Sequence, residues 1–266
     1  MGIPSGIGKL DRERITIILR GTQHTISIAE AAKLLTLSKE HAAKLLARWA
    51  AKGWVSRVKR GVYIPIPLEA TTSDIALENP WVIAEKIYHP CYIGGWSAAE
   101  HWGLTEQIFR TIVVLTTQRP RNRKPIIKGT NFLLHTVSGQ ALFGLATIWY
   151  GKTKVFVSDP TRTILDFLVD PKMGGGIRPT TDMLKEYLKS EHKNLTLLLD
   201  YANRLHNGAV FKRLGFLLEQ YAPEEKKVIE ACKKQVTISK VKLDPQLDAE
   251  KFITRWRLWV PKRWNE

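Results

Sequence analysis

Residues 25–66 read TISIAEAAKLLTLSKEHAAKLLARWAAKGWVSRVKRGVYIPI, and this stretch decides the fold of the N-terminal part of the chain. Apolar residues recur at helical spacing on both sides of Thr36 and Ser38, which predicts two short helices separated by a turn. Ser38 is suited to cap the second helix, and Gly53 is suited to end it. Beyond Gly53, two β-type runs flank Lys59-Arg60-Gly61 and predict a tight hairpin.

A further helix is predicted over Asp11–Leu19, so the order of elements is that of a winged helix-turn-helix. Basic side chains are expected on the outward face of the second helix of the turn and on the hairpin, or wing. Both places suit contacts to phosphates and bases of duplex DNA. A solvated helical hairpin and a protein-docking unit are the alternatives. The predicted DNA-binding residues are Lys39, His41, Lys44, Arg48, Arg57, Lys59, Arg60 and Tyr63.

The charge of the chain is strongly positive, with 41 Lys and Arg against 25 Asp and Glu in 266 residues. Residues 1–70 carry 12 basic and 5 acidic side chains, and residues 171–266 carry 19 and 12. The middle, residues 71–170, is nearly balanced at 10 and 8. The net charge of +16, most of it at the two ends of the chain, is more than solubility needs. It favours a polyanionic partner, and nucleic acid is the first candidate.

The chain divides into a winged helix-turn-helix domain (residues 1–70) and a larger mixed domain (residues 71–266), so the predicted class is α+β. The second domain is expected to hold a small sheet followed by a helical bundle. Strands are predicted at 111–117, 132–137, 146–150 and 154–157, and helices at 183–190, 195–205, 209–221 and 224–234. Short strands are expected again at 236–243 and 256–260. A proline-broken loop supplies possible secondary DNA contacts at Arg119, Arg121, Arg123 and Lys124.

No catalytic constellation is recognisable, and we do not expect an enzyme. Glu191-His192-Lys193 and Glu224-Glu225-Lys226 resemble the Glu-x-Lys of magnesium-dependent nucleases, but so short a match arises often by chance. The two cysteines have no metal-ligand spacing, so neither zinc nor another cofactor is expected. No apolar run reaches membrane-spanning length and no secretion signal is visible, so a cytoplasmic location is expected.

Five segments in order give the chain a family resemblance. They are RGVY (60–63), CYIGGWSAAEHWGLTEQ (91–107), VSDPTRTILDFL (157–168), FKRLGFLLE (211–219) and WRLWV (256–260). Together they resemble the AbiEi family, the antitoxins of type IV (AbiE) toxin–antitoxin and abortive-infection systems. The likeness extends from about residue 12 to residue 260. Judged from the residues alone, three parts of these segments are expected to pack in the core rather than contact a partner: Gly94-Gly95, the Arg162–Asp166 turn and Arg213–Phe216.

The resemblance implies an antitoxin that neutralises a cognate nucleotidyltransferase-like toxin and represses its own operon. The winged helix would bind inverted repeats in the promoter, while the C-terminal domain would act on the toxin and add a basic surface for DNA. A monomer in solution is expected. A metal-dependent nuclease and a protein-binding adaptor without a DNA role are the alternatives.

Overall fold

The computed structural model describes residues 6–22, 25–66, 79–261 and 264. Within these ranges the chain is a mixed α+β protein with ten α-helices and three small sheets. The described residues up to 66 are called the N-terminal unit below, and those from 79 onward the C-terminal unit. The predicted domain boundary near residue 70, the predicted linker 68–73 and the start of a helix predicted over 74–88 lie outside the described residues.

The N-terminal unit contains three helices and a small antiparallel sheet in the strand order β1-β3-β2. The Ser38 hydroxyl accepts the His41 backbone N–H at 3.2 Å and so caps the third helix. Ile18, Leu46 and Trp49 are fully buried in a common core. The elements are α1 (Lys9–Gly21), β1 (Ile26–Ser27), α2 (Ile28–Leu34), α3 (Lys39–Ala51), β2 (Val55–Lys59) and β3 (Val62–Pro65).

The local predictions for this unit are confirmed. Thr36, in the turn between α2 and α3, has a φ of +52°, which breaks any continuous helix. Gly53 follows α3 with a φ of +75°, and Gly61 forms the hairpin turn with a φ of +82°. The order helix, helix, helix, hairpin is therefore present as the sequence predicts.

A six-stranded mixed sheet forms the centre of the C-terminal unit, in the strand order β6-β7-β5-β4-β9-β8. β4 runs parallel to β9, and β5 runs parallel to β7, while the remaining pairs are antiparallel. The four predicted strands are confirmed as β5, β7, β8 and β9. Two strands were not predicted: β4, and β6 inside the proline-broken loop. The strands are β4 (Cys91–Ile93), β5 (Thr111–Thr116), β6 (Ile126–Ile127), β7 (Thr130–Thr136), β8 (Leu145–Tyr150) and β9 (Thr153–Ser158).

Helices cover both faces of this sheet. α4 packs on one face, where Ile87 shares an apolar cluster with Val114 and Val157. Val113 and Leu115, which point the other way along β5, pack with the helical part of the unit. The predicted helical bundle is confirmed. The helices are α4 (Pro80–Tyr88), α5 (Gly95–His101), α6 (Pro160–Val169), α7 (Ile177–Lys189), α8 (Leu195–Arg204), α9 (Gly208–Tyr221) and α10 (Lys226–Lys234).

The C-terminal segment differs from the prediction of short strands at 236–243 and 256–260. Only β10 (Val241–Lys242), β11 (Lys251–Ile253) and β12 (Leu258–Val260) form, in the order β10-β12-β11. The carbonyls of Ile238 and Ser239 accept hydrogen bonds from the side chains of Arg257 and Lys212 instead of a neighbouring strand. Trp256 ends a 3-10 turn (Thr254–Trp256). At Ile238 and Ser239, hydrogen bonds from side chains thus take the place of the backbone hydrogen bonds between strands that the alternating pattern predicts.

Candidate nucleic-acid interface

The exposed face of α3 carries four of the predicted DNA-binding side chains. Lys39, His41, Lys44 and Arg48 are exposed, while Leu45, Leu46 and Trp49 on the other side of the helix are buried. Lys39 and Lys44 form no ion pair with any described residue. The His41 ring nitrogen Nδ1 lies 2.9 Å from the Ser38 hydroxyl, which orients the ring at the start of the helix. α3 therefore presents a basic face to solvent and an apolar face to the core of the N-terminal unit.

Arg48 has a partner within the N-terminal unit. Its Nη2 donates to Oδ1 of Asp11 at 2.9 Å, and the same oxygen accepts the Trp49 indole N–H at 3.2 Å. The Arg48 side chain is 53% exposed, so this ion pair is open to water. Asp11 therefore both anchors α3 to α1 and competes with any phosphate for the Arg48 guanidinium.

The hairpin presents Arg57, Lys59 and Arg60 as exposed side chains, and the β2–β3 register shifts between Arg57 and Lys59. Lys59 is not free: its Nζ donates to the Ile87 carbonyl at 3.3 Å and lies 5.8 Å from the centre of the Tyr88 ring. The hairpin tip is thus tied to the C-terminal end of α4.

Tyr63 requires a correction. The sequence places it among the DNA-binding residues, but its side chain is only 4% exposed and belongs to the core of the N-terminal unit. The ring faces inward because β3 alternates and is the central strand of the β1-β3-β2 sheet. The Tyr63 ring supports the hairpin from beneath rather than projecting from its outer face.

The basic loop of the C-terminal unit is exposed and held in place by its backbone. The Arg123 carbonyl accepts the Leu134 N–H at 2.8 Å, and the Lys124 N–H donates to the Asn122 side chain at 2.9 Å. The predicted secondary contacts Arg119, Arg121, Arg123 and Lys124 are all exposed. This loop begins next to the hairpin, because Nε2 of Gln118 donates to the Ile87 carbonyl at 3.4 Å, the same oxygen that accepts Lys59.

His135 on β7 lies within the electrostatic influence of this loop. Burial lowers the pKa of His135, the charges of Arg123 and Lys172 lower it further, and Asp170 opposes the shift. Its Nδ1 lies 3.9 Å from Asp170, and its Nε2 is buried without a partner among the described residues. The ring is therefore neutral at physiological pH and adds no charge to the basic loop.

An ion pair between α2 and α4 is a further contact between the two units. Nζ of Lys86 donates to Glu30 at 2.8 Å, and Glu30 also accepts the Ser27 N–H at 2.9 Å within a capping box of α2. Partial burial raises the pKa of the Glu30 carboxyl, but the bonds from Lys86 and Ser27 outweigh burial and leave the pKa below its ordinary value. The carboxylate is thus charged at neutral pH.

The signature residues of the α6 segment are structural, as the sequence predicts. Nε of Arg162 donates to Asp166 at 2.8 Å and its Nη2 to the Tyr92 hydroxyl at 2.9 Å, and all three side chains are at most 2% exposed. Burial raises the pKa of Asp166, and the charge of Arg162 opposes that shift. Arg162 also donates to the carbonyls of Ala141 and Phe143, so the network ties the loop before β8 to the core.

The α9 signature is structural as well. Arg213 is buried and donates to four backbone carbonyls. Two belong to Leu168 and Val169 at the end of α6, and two belong to Lys242 and Leu243 at the end of β10. Gly215 allows the Trp256 ring to lie directly on α9, since a Cβ there would be 2.2 Å from two of its ring atoms. The Trp256 indole N–H donates to Glu219 at 2.5 Å. The C-terminal segment is therefore packed onto α9.

Four residues of this region were not singled out from the sequence: Asp11, Glu30, Lys86 and Gln118. The Ser27-x-x-Glu30 spacing is a capping-box pattern that could have identified Glu30 as a helix-start residue. Its second partner, Lys86, is 56 positions away and no local pattern indicates the pair.

The two Glu-x-Lys tripeptides meet each other, because Nζ of Lys193 lies 2.7 Å from Glu225. Among the described residues, no group of three His, Cys, Asp or Glu side chains is placed to hold a metal ion. Within the same part of the chain, no helix combines the length and the apolar character that crossing a membrane requires.

Neither protein-family models nor curated protein sequences give a match to this chain.

Proposed function

We propose that the chain is a DNA-binding antitoxin of the AbiEi type, which represses its own operon through the N-terminal unit acting as a winged helix. The observation that carries the DNA-binding part is the arrangement of α3 and the hairpin. Lys39, Lys44, Arg57 and Arg60 are exposed, and none of them forms an ion pair with a described residue. Cations without internal partners on a helix and an adjacent hairpin suit a polyanion with two grooves.

Within this proposal the side chains divide into two roles. Lys44 and Arg48 on α3 contact base edges in the major groove, where each good contact contributes about 1–3 kcal/mol of discrimination. Arg57 and Arg60 on the hairpin contact phosphates and contribute affinity on any sequence. The partner is the inverted-repeat promoter of its own operon, and the cytoplasm of a prokaryote is the proposed location.

The antitoxin part rests on the five sequence segments that resemble AbiEi proteins. Some of their charged and glycine residues build the core of the C-terminal unit, as the Arg162 network and the Gly215–Trp256 contact illustrate, whereas Glu100 and His101 are exposed. We therefore assign neutralisation of the nucleotidyltransferase-like toxin to the C-terminal unit as a folded whole. No catalytic role is proposed for the chain.

The test compares two readouts in one strain: a reporter driven by the upstream region of the gene, and survival when the neighbouring toxin candidate is expressed. Lys44→Ala combined with Arg60→Ala should relieve repression and leave survival intact, because neither side chain contributes to a core. Lys189→Ala, at an exposed position of α7, serves as the matched control and should change neither readout. Intact repression in the double variant would contradict the assignment of α3 and the hairpin.

A further inference from the structure

We propose that the N-terminal unit holds a binding site for a small amphipathic carboxylate, in a cavity between α1 and the base of the hairpin. The cavity has a volume of about 480 Å³. Its apolar walls accommodate the chain or ring of the ligand, and Arg12 at its rim binds the carboxylate. Ligand binding does not depend on the proposed DNA recognition; only its consequence for DNA affinity rests on that function.

Three segments of the N-terminal unit build the walls of the cavity. They are α1, the residues that follow α3, and the end of β3, and they contribute in turn Ile15 and Leu19, Trp54 and Val55, and Pro65 and Ile66. Trp54 and Val55 are buried, whereas Leu19 is 43% exposed, so the cavity has a buried floor and an open mouth. Small-molecule sites in proteins are mostly apolar and measure about 300–1,000 Å³, so both the size and the lining suit a small ligand.

A single cation sets the charge of the ligand. Arg12 is the only charged side chain among the described residues that line the cavity. It is exposed and forms no ion pair with any described residue. Thr16, beside it, donates its hydroxyl proton to the Arg12 carbonyl at 2.8 Å. The guanidinium offers a fork of N–H donors that matches the two oxygens of a carboxylate. An apolar cavity with one uncompensated cation therefore favours an amphipathic anion.

Trp49 connects the cavity to the outer face of α3. Its ring lines the cavity, while its indole N–H donates to Asp11 at 3.2 Å. The same Asp11 oxygen accepts Arg48 at 2.9 Å. A ligand that shifts the Trp49 ring weakens the indole bond and leaves that oxygen to Arg48 alone. Arg48 is then held more firmly on Asp11, so occupancy of the cavity lowers the affinity for DNA.

The first experiment titrates the full chain with octanoate below its critical micelle concentration. The indole N–H signals of the nine tryptophans are followed by heteronuclear NMR and assigned with Trp49→Phe and Trp54→Phe variants. Trp49 and Trp54 should shift saturably. Trp149, which is 63% exposed, reports adsorption onto apolar surface, and the buried Trp256 reports global changes. No saturable shift at Trp49 and Trp54, or equal shifts at Trp149 and Trp256, would overturn the site.

Substitutions on α1 test where octanoate lies. Thr16→Phe places a ring at an exposed position that lines the cavity and should abolish the octanoate shifts. Ile17→Phe is the matched control, because Ile17 is the next residue, is 47% exposed and does not line the cavity. An unchanged Trp256 signal shows that each variant is folded. Octanoate binding that survives Thr16→Phe, or that both variants lose alike, would contradict the assigned position.

The charge of Arg12 is tested with ligands that differ only in their head group. Arg12→Gln should weaken octanoate by about 1.4-fold to 5-fold, the range of an exposed ion pair, and leave octanol unchanged. Arg20→Gln, at an exposed position of α1 outside the cavity lining, should change neither. Arg12→Glu should reverse the preference from octanoate to octylammonium. Equal effects on octanoate and octanol, or a preference that Arg12→Glu does not reverse, would overturn the role of Arg12.

The last measurement tests the consequence for DNA. Saturating octanoate should weaken binding of the full chain to a labelled upstream duplex by up to about 5-fold, and the duplex should weaken octanoate binding by the same factor. Neither effect should remain in the Arg48→Ala background. An unchanged duplex affinity would overturn the coupling through Trp49, while the indole shifts still decide the site. A chain that binds octanoate but neither the upstream duplex nor a random one contradicts the proposed function alone.

Discussion

Asp11→Asn should release Arg48 for a DNA phosphate or base without disturbing Trp49. In the unmodified chain one oxygen of Asp11 accepts both the Arg48 guanidinium, at 2.9 Å, and the Trp49 indole N–H, at 3.2 Å. An Asn side chain keeps an oxygen that can accept from Trp49 but loses the charge that attracts Arg48. Asp11→Ala removes both interactions and shows what the indole bond contributes.

The exposure of Arg48 sets the magnitude. An ion pair with a side chain 53% exposed contributes about 0.2–1 kcal/mol, and duplex DNA must overcome it before Arg48 can contact a phosphate or base. Removing that cost should tighten binding by about 1.4-fold to 5-fold. Asp11→Ala should in addition lose the free energy of the Trp49 hydrogen bond, about 1 kcal/mol of stability.

Fluorescence anisotropy with a labelled upstream duplex measures the affinity, and urea unfolding measures the stability. Glu13→Gln removes the same charge from an exposed position of α1 and is the matched control. Asp11→Asn should tighten binding more than Glu13→Gln, and should have no more effect than Glu13→Gln when Arg48 is already Ala. Equal tightening by both variants, or an excess of Asp11→Asn over Glu13→Gln that persists in the Arg48→Ala background, would refute a specific role for Arg48.

Three further predictions concern stability. Gly215→Ala should cost about 1–3 kcal/mol by overpacking, because its methyl would lie 2.2 Å from the Trp256 ring; the urea midpoint measures it. Asp166→Ala should cost about 3–5 kcal/mol, measured in the same way, because the buried Arg162 guanidinium loses its counter-ion. Because the pKa of Glu30 is lowered, its ion pair with Lys86 stabilises the contact between the two units fully above the ordinary Glu pKa of 4.5. That contribution is lost as pH falls through the lowered pKa. Distances between spin labels at Ala51→Cys and Lys227→Cys, measured down to a pH of about 3, should show the two units separating.

Each stability prediction has its own control. Gly139→Ala adds a methyl that meets nothing within 4 Å and should leave the urea midpoint unchanged. Asp182→Ala breaks an exposed ion pair and should cost far less than Asp166→Ala. Label distances that stay constant on acidification would contradict the contribution of Glu30, and Asp166→Ala at the level of Asp182→Ala would contradict the buried pair.

Features governed by neighbouring residues were predictable from the sequence. Ser38 as a helix cap and Gly61 as a turn residue depend on a few adjacent positions, and both are confirmed. The Arg162–Asp166 pair follows from helical spacing, and Gly215 from the need for close approach to α9.

Features governed by distant partners were not. Lys59 reads as a free cation on a hairpin, because nothing local indicates the Ile87 carbonyl 28 positions away. The same holds for Tyr63, whose inward direction depends on which face of the hairpin packs against the helices. The predicted strand through Ile238 and Ser239 failed because its pattern cannot show that Arg257 and Lys212 take the carbonyls.

The most direct test of DNA binding by the N-terminal unit compares two duplexes of equal length, one from upstream of the gene and one of random sequence. Anisotropy titrations of the full chain, and of its Lys44→Ala variant, give the affinity for each at several salt concentrations. We expect tighter binding to the upstream duplex, a steep fall of affinity with salt, and loss of most of the preference when Lys44 is Ala. Equal affinity for the two duplexes, or a preference that Lys44→Ala leaves untouched, would contradict sequence recognition by α3.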